Sequence, residues 1–406
     1  MIKAFVNILL VLLFAAPFLW GYMNLFVSSS TISVVNAAIR ILTLGVFCLF
    51  LLKRDFQFRK PFLIFLLLFF VYYAFALYDV FCGSVPVGRM LGVHKDLAQL
   101  RTAFVSLIAL VVLCPTIKKC ADFVLLAKCL VVINLLTAVL YFGKVDYTLY
   151  AVLSLTQDFD DLKILSPFTI ANTTGPAILM SLYLKGRWLP NKTLDFCVFV
   201  LTLFLNVAIL ILCNKRGPIL YAVVLALFYL FIANKISIKV LLSVSVVSVL
   251  ILVFGDFILE SLFPSLSHLM ERFSESANDG ASGRIGENSL YSYALSQILD
   301  YPLFGSNMRI LHNGTFYGVY PHNFLLEMCM TLGVPIALFF FYLIGKVLYR
   351  VPRMFNPNSP YLVIYLYFAY TFLLMMSTGT LFLRTTFWVS LGILVQIISC
   401  MEEAEK

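Results

Sequence analysis

The chain has 406 residues, 62% of them hydrophobic and 12% charged, with a formal net charge of +9. Soluble domains average about 25% charged residues, and a mean hydropathy of +0.98 leaves more apolar surface than a compact soluble fold can bury. A soluble enzyme, a disordered chain and a nucleic-acid-binding protein are thereby excluded, and the positive charge is read as membrane topology.

A transmembrane helix needs about 20 mostly apolar residues. Twelve stretches meet that need in chain order: about 4–26, 31–52, 61–82, 98–115, 121–142, 167–184, 194–213, 218–234, 237–255, 323–349, 361–377 and 380–400. The first follows Met1-Ile2-Lys3 and runs past Pro17 and Trp20 to Val27 without a small-residue cleavage site, so it is read as a span and not a signal peptide. The expected fold is all-α: a polytopic helical bundle forming a single membrane domain over residues 1–406. One large outer loop, residues 256–322, interrupts it between the ninth and tenth spans. No internal repeat is visible.

Loop charges set the orientation. With twelve spans both termini share a side, and that side gathers 16 of the 29 Lys and Arg residues against six acids. The positive-inside rule makes it the cytoplasm, so the 256–322 loop faces outward, toward a periplasm or the cell exterior. Nine cysteines are scattered, mostly within apolar runs, with no C-x-x-C and no metal-ligand spacing. Cys82 and Cys213 alone approach the outer face, where small buried hydrophobes are the better reading than a disulfide.

Three features gather on the outer side. The first is Asn214-Lys215-Arg216-Gly217-Pro218, a short link before the eighth span. Pro218 suits a first helical position, and Arg216 then stands beside free backbone N–H groups that favour an anion. A guanidinium at that place hinders the helix but holds phosphate through paired hydrogen bonds. The second is Arg284, in Ser282-Gly283-Arg284-Ile285, ahead of an amphipathic helix with Tyr291, Ala294, Leu295, Ile298 and Leu299 on one face. This helix is expected to lie on the bundle or the membrane surface, with Ser282 as its N-cap. It stops at Asp300-Tyr301-Pro302.

The third feature is Tyr320-Pro321-His322-Asn323, at the start of the tenth span. A histidine at a membrane boundary titrates near neutral pH and suits a general base toward a hydroxyl. Glu327, five residues on, would orient it or pair with an arginine of another span. Arg89, Lys95, Arg101 and Arg309 extend the outer positive charge, and Arg40 lies within the second span. Asp158, Asp160 and Asp161 lack the glycine and spacing of a Ca²⁺ loop and read as a solvated turn. Taken singly, each arginine also fits a snorkelling or solvated charge.

In order and spacing these pieces resemble the superfamily of O-antigen polymerases and O-antigen ligases, bacterial inner-membrane glycosyltransferases. The resemblance rests on Lys215-Arg216-Gly217 after a span, a large outer loop, and Arg284, Tyr291, Ala294, Ile298 and Tyr301-Pro302-Leu303-Phe304-Gly305 within it. His322, followed by ten residues and Gly333, completes the set, which covers roughly residues 200–350. Tyr291 stands where the family commonly has another aromatic such as Trp.

The resemblance implies an undecaprenyl-diphosphate-linked glycan as donor, with no nucleotide, cofactor or metal. It implies that Arg216 and Arg284 hold the diphosphate and that His322 activates the acceptor hydroxyl for inverting transfer. Lys215, Tyr320, Glu327 and Arg101 would support that site. Membrane lipid and a chain-length regulator protein are the implied partners, and the inner membrane, with the active site facing the periplasm, is the implied location. The Lys-Arg-Gly-Pro and Pro-Leu-Phe-Gly strings resemble the polymerase branch more than the ligase branch. A lipid-linked sugar flippase is the reading from another class, opposed by the missing repeat and by charges gathered at the rim.

Overall fold

The structure, a computed structural model, describes residues 3–4, 6–15, 59–82, 106–107, 109–111, 122–142, 167–213, 215–233, 284, 289–306, 311, 319–354, 358–377 and 384–404. The second and ninth expected spans lie outside these residues, as do Arg40, Arg89, Lys95, Arg101, Arg309 and the Asp158, Asp160 and Asp161 cluster.

Among the described residues every regular element is a helix. An unbroken apolar run in hydrocarbon must satisfy its own backbone groups, and a helix does so within one segment. The helices are α1 (Val6–Ala15), α2 (Lys60–Cys82), α3 (Phe123–Phe142), α4 (Pro167–Tyr183), α5 (Lys192–Leu212) and α6 (Arg216–Ile232). Then come α7 (Leu290–Asp300), α8 (Phe324–Leu332), α9 (Val334–Met354), α10 (Leu362–Met375) and α11 (Thr385–Ala404). Three are long and apolar enough to cross a bilayer over described residues: Lys192–Leu212, Val334–Val351 and Thr385–Glu403.

Helix α10 is the shared centre. It packs on α4 and α6 on one side and on α11 on the other, while α11 in turn packs on α2 and α9. Residues Leu362 to Thr371 are buried on every face, as expected of a helix that is apolar all round. Trp388 of α11 is fully buried and contacts the rings of Phe65, Phe69 and Tyr72 from α2 and Phe340 from α9. A satisfied polar cluster joins α3, α4 and α5. Asn134 donates to Asn206 Oδ1 at 2.7 Å, and Thr173 donates to Asn134 Oδ1 at 3.0 Å. Between helices in an apolar medium such bonds hold one neighbour in register with another.

The bundle has two unlike ends. At one, Arg59 pairs with Glu403, Lys346 reaches Glu402 at 2.9 Å, and Arg187 donates to Asn358 at 2.9 Å. Asp195 there accepts backbone N–H bonds from Gly186, Trp188 and Leu189, which closes the turn between α4 and α5. The opposite end holds the C-terminus of α10 and the N-termini of α6, α8 and α11. The 20 residues of α11 span about 30 Å, the thickness of a bilayer's hydrocarbon core.

Two expectations need correction here. Residues 323–349 are two helices and not one continuous span: α8 ends at Gly333, with φ 80°, and α9 begins after it. The cause is the turn 301–306, which docks on the break. Val334 N–H bonds Pro302 O at 2.8 Å, and Ser306 N–H bonds Met330 O at 2.7 Å. A Cβ on Gly333 would lie 2.2 Å from Leu303 O, and one on Gly305, with φ 70°, would lie 2.6 Å from the Thr331 carbonyl. Only glycine supplies the positive φ without a side chain in the way. The glycines of the Pro-Leu-Phe-Gly string and of the histidine pattern are therefore two halves of one backbone junction.

The second correction concerns α7. Its N-cap is Ser289, which accepts from Ser292 N–H, whereas Ser282 lies outside the described residues. Its buried face is Leu290, Ala294, Gln297 and Ile298, packed on Met330 of α8 and on Leu311. Of the expected face, Ala294 and Ile298 are buried and Tyr291 packs beside them, whereas Leu295 and Leu299 are 51% and 76% exposed, so the covered stripe is narrower than expected and shifted toward Leu290 and Gln297. Gln297 takes the buried position because its side chain donates to Ser306 Oγ at 2.8 Å.

Candidate functional site

The C-terminal carbonyls of α10 organise the second end of the bundle. Past Met375 the chain offers free C=O groups, which carry partial negative charge and seek donors. Arg284 donates its guanidinium to Ser377 O, and Asn323 donates its amide to Met376 O at 3.2 Å. Tyr221 of α6 donates its hydroxyl to Ser377 Oγ. Three separate parts of the chain are thereby tied to one pair of residues.

Asn323 has a second task. Its Oδ1 accepts from Leu325 N–H at 3.0 Å and from Leu326 N–H at 3.4 Å, so it is the N-cap of α8. This fixes the residue before it. His322 is half-buried and has φ 52°, a left-handed conformation uncommon outside glycine. Strain of that kind persists where surrounding contacts over-determine it, and it clusters at active sites. The Tyr320 ring lies 4.3 Å from the imidazole, centroid to centroid. Burial first, and the positive charge of Arg284 second, push the His322 pKa down to about 4. The imidazole is therefore neutral at pH 7, with a lone pair free to accept a proton.

Hydrogen bonds link Arg284 to Ser377 and Ser377 to Tyr221, and a ring contact carries the chain on to Tyr370. The Tyr221 and Tyr370 rings meet edge-on at 6.5 Å. Arg384, immediately before α11, lies in electrostatic range of Tyr370, Tyr367 and Tyr320. Tyr370 is seated on Gly175 of α4, where an added Cβ would fall 2.2 Å from its ring.

The sequence-derived residues distribute as follows. Arg284, Tyr320 and His322 are brought together. Lys215 is the N-cap residue of α6 without a side-chain cap bond, and Arg216 is the first residue of α6. The helix therefore starts two residues ahead of Pro218. Pro218 still falls in the first turn, where its missing N–H costs nothing. The Arg216 side chain lies outside what the structure describes, although Tyr221, five residues on, ties its helix to the Arg284 anchor. Glu327 is fully buried and accepts a hydrogen bond from Tyr72 of α2. Arg101 lies outside the described residues. Cys213 is a free, buried thiol.

Sequence reasoning missed Tyr221, Ser377 and Arg384. Tyr221 carried one signal, a hydroxyl on an otherwise apolar run five residues after Arg216. Arg384 lay inside the expected span 380–400, four residues from its start, and the structure begins α11 only after it.

Residues 201–341 match the sequence model of a family described as O-antigen ligase. The match supports the superfamily of O-antigen polymerases and ligases, whose members are integral membrane proteins with glycosyltransferase-type activity on lipid-linked glycans. It contains Arg216, Arg284, Tyr320, His322 and Glu327; Ser377 and Arg384 lie beyond its end. No curated protein matches the chain.

Proposed function

We propose that this chain is an O-antigen polymerase, an inverting, metal-independent glycosyltransferase of a bacterial inner membrane. It moves a growing glycan from undecaprenyl diphosphate to the next lipid-linked repeat unit. The observation that carries the reading is the approach of a neutral, strained His322 to Arg284 at the end of the bundle away from the ion pairs. The ion-paired end is cytoplasmic by the positive-inside rule, so this site faces the periplasm.

The chemistry needs a base and an anion holder. His322 takes the proton of the acceptor hydroxyl, whose oxygen attacks the anomeric carbon of the donor. The bond from that carbon to the diphosphate oxygen breaks, and its electron pair leaves on the diphosphate. Arg284 stabilises the charge that develops there, one of its donors resting on Ser377 O while the guanidinium fork offers further donors to phosphate oxygens. Arg216, at the start of α6, supplies a second guanidinium, with backbone N–H groups behind it. Donor binding also tunes the base. The incoming anion offsets the field of Arg284 and raises the proton affinity of His322 when a proton must be taken.

A ligase that delivers the glycan to lipid A core is the second reading, favoured by the description of the matching family. Purified protein supplied with lipid-linked repeat units and no core acceptor separates the two. A ladder of lengthening products establishes the polymerase, and a requirement for core establishes the ligase. Product in neither arm overturns both. Transfer persists in EDTA on this mechanism, and restoration by added Mg²⁺ alone would refute it.

A further inference from the structure

A base and an anion holder must stand at a set spacing, yet His322 and Arg284 come from separate segments of the chain. Misplacing reacting groups by about 1 Å can cost about 10²-fold in rate, so both need one fixed reference. Helix α10 supplies it. Residues Leu362 to Thr371 are buried on every face, and Tyr370 fills the space above Gly175, so a shift of α10 would disturb the packed centre of the bundle. At its C-terminus Met376 N–H bonds Phe372 O and Ser377 N–H bonds Leu374 O, both at 3.2 Å. That last turn fixes where the Met376 and Ser377 carbonyls lie.

These two successive carbonyls hold different halves of the site. Asn323, next in chain to His322, donates to Met376 O at 3.2 Å while its Oδ1 caps α8. Arg284 donates to Ser377 O. Successive Cα atoms are about 3.8 Å apart, so a single residue step sets the offset between the arm that carries the base and the arm that carries the guanidinium. Ser377 is itself steadied, because Tyr221 donates its hydroxyl to Ser377 Oγ. The Tyr221 ring stands edge-on to Tyr370 and lies back over Gly217, where an added Cβ would fall 3.4 Å from its Cε2. Tyr221 thereby links α6, the helix that Arg216 begins, to the residue on which Arg284 rests.

We propose that Asn323 and Tyr221 are positioning residues for the transfer reaction. Asn323 seats the His322 base and Tyr221, through Ser377, seats the Arg284 guanidinium, both on the C-terminal corner of α10. The proposal rests on the reading that the site takes a lipid diphosphate. The rival is a purely structural role, in which the two residues pin helices together.

The test uses full-length protein in detergent, with inorganic pyrophosphate as the binding probe and lipid-linked repeat units as substrate. Tyr221→Phe keeps the ring and loses the hydroxyl. It is expected to weaken pyrophosphate binding and raise the donor KM by about three- to tenfold, the worth of one hydrogen bond, with a smaller change in kcat. Asn323→Ser keeps a capping oxygen but is too short to reach Met376 O. It is expected to lower kcat by about 10–100-fold and to leave pyrophosphate affinity unchanged. Should either variant fail to fold, Ser377→Ala and Asn323→Thr remove the same two bonds. Tyr221→Phe combined with Ser377→Ala is expected to be no worse than either alone, since the two remove one bond; additive losses would overturn the Tyr221 arm. A structural pin instead lowers the unfolding midpoint and moves kcat and affinity together in both variants, which would overturn the proposal. Wild type that binds no pyrophosphate overturns the diphosphate reading itself. Wild-type affinity retained in Tyr221→Phe overturns only the role of Tyr221, and unchanged kcat in Asn323→Ser only that of Asn323.

Discussion

The two ends of the bundle treat the same side chain in opposite ways. At the ion-paired end Arg59 meets Glu403, and Lys346 and Arg350 converge on Glu402. At the other end Arg284 rests on the Ser377 carbonyl past the end of α10, with no carboxylate paired to it among the described residues. A cation given a carboxylate is electrostatically finished. A cation given only neutral acceptors keeps most of its charge for something that arrives. The first arrangement anchors helices at a water boundary, and the second prepares a site for an anion.

The comparison breaks most sharply at His322. His322→Ala is expected to lower transfer by about 10²–10⁴-fold, the usual worth of a general base. The protein still inserts and folds, as read by ladder formation from purified lipid-linked units beside an unfolding curve; near-normal ladders would remove the base role. Arg284→Lys is the next largest effect, because an ammonium cannot hold Ser377 O and a phosphate through one planar fork. Losing a charge-assisted hydrogen bond of about 1.5–3 kcal/mol lowers kcat/KM by roughly 10–100-fold, and unchanged kinetics would reduce Arg284 to a loop anchor.

Gly333→Ala tests the junction beneath the site. A side chain there meets Leu303 O and a positive φ, so stability falls by about 2 kcal/mol or more. Gly345→Ala, with no atom within 4 Å of its added Cβ, is neutral or stabilising by up to about 1 kcal/mol in the helix. Equal unfolding midpoints for the two variants would contradict the packing at the break.

The pH profile sharpens the electrostatic part. Below its pKa the imidazole is protonated and cannot act as a base, so the acid limb of kcat/KM, which reports free enzyme, lies near pH 4. The limb of kcat lies at higher pH, since the bound anion offsets Arg284, and Arg284→Gln moves the kcat/KM limb upward. Coincident limbs would mean that donor binding leaves the histidine untouched. The smallest effect closes the comparison at the opposite end. Arg59→Ala breaks a partly exposed pair and costs under about 1 kcal/mol, with transfer unchanged.

Hydropathy located most of what it could reach. The expected spans at 61–82, 121–142, 167–184 and 194–213 lie within two residues of α2, α3, α4 and α5, because an apolar run of sufficient length in hydrocarbon has little choice but a helix. The place of His322 was legible as well, just ahead of an apolar run that does begin a helix. The break at Gly333 was not, since its cause is a turn almost 30 residues earlier in the chain. Glu327 was legible as a membrane carboxyl needing a partner, but Tyr72, which donates to it, is 255 positions away. Leu295 and Leu299 misled, because periodicity gives the phase of a helical stripe and the neighbour decides which side of the stripe is covered.

By itself, then, the sequence determined an all-helical chain with helices apolar enough to cross a membrane, the side on which Lys and Arg exceed the acids, and a histidine and a loop arginine that stand near the other end. Those properties follow from local composition, which sets transfer free energy residue by residue. Which residues meet at Ser377, why two glycines must face each other, and that Asn323 and Arg284 rest on successive carbonyls were decided by tertiary structure alone. Contacts between distant segments depend on which helices become neighbours, and that order is a property of the whole packed bundle.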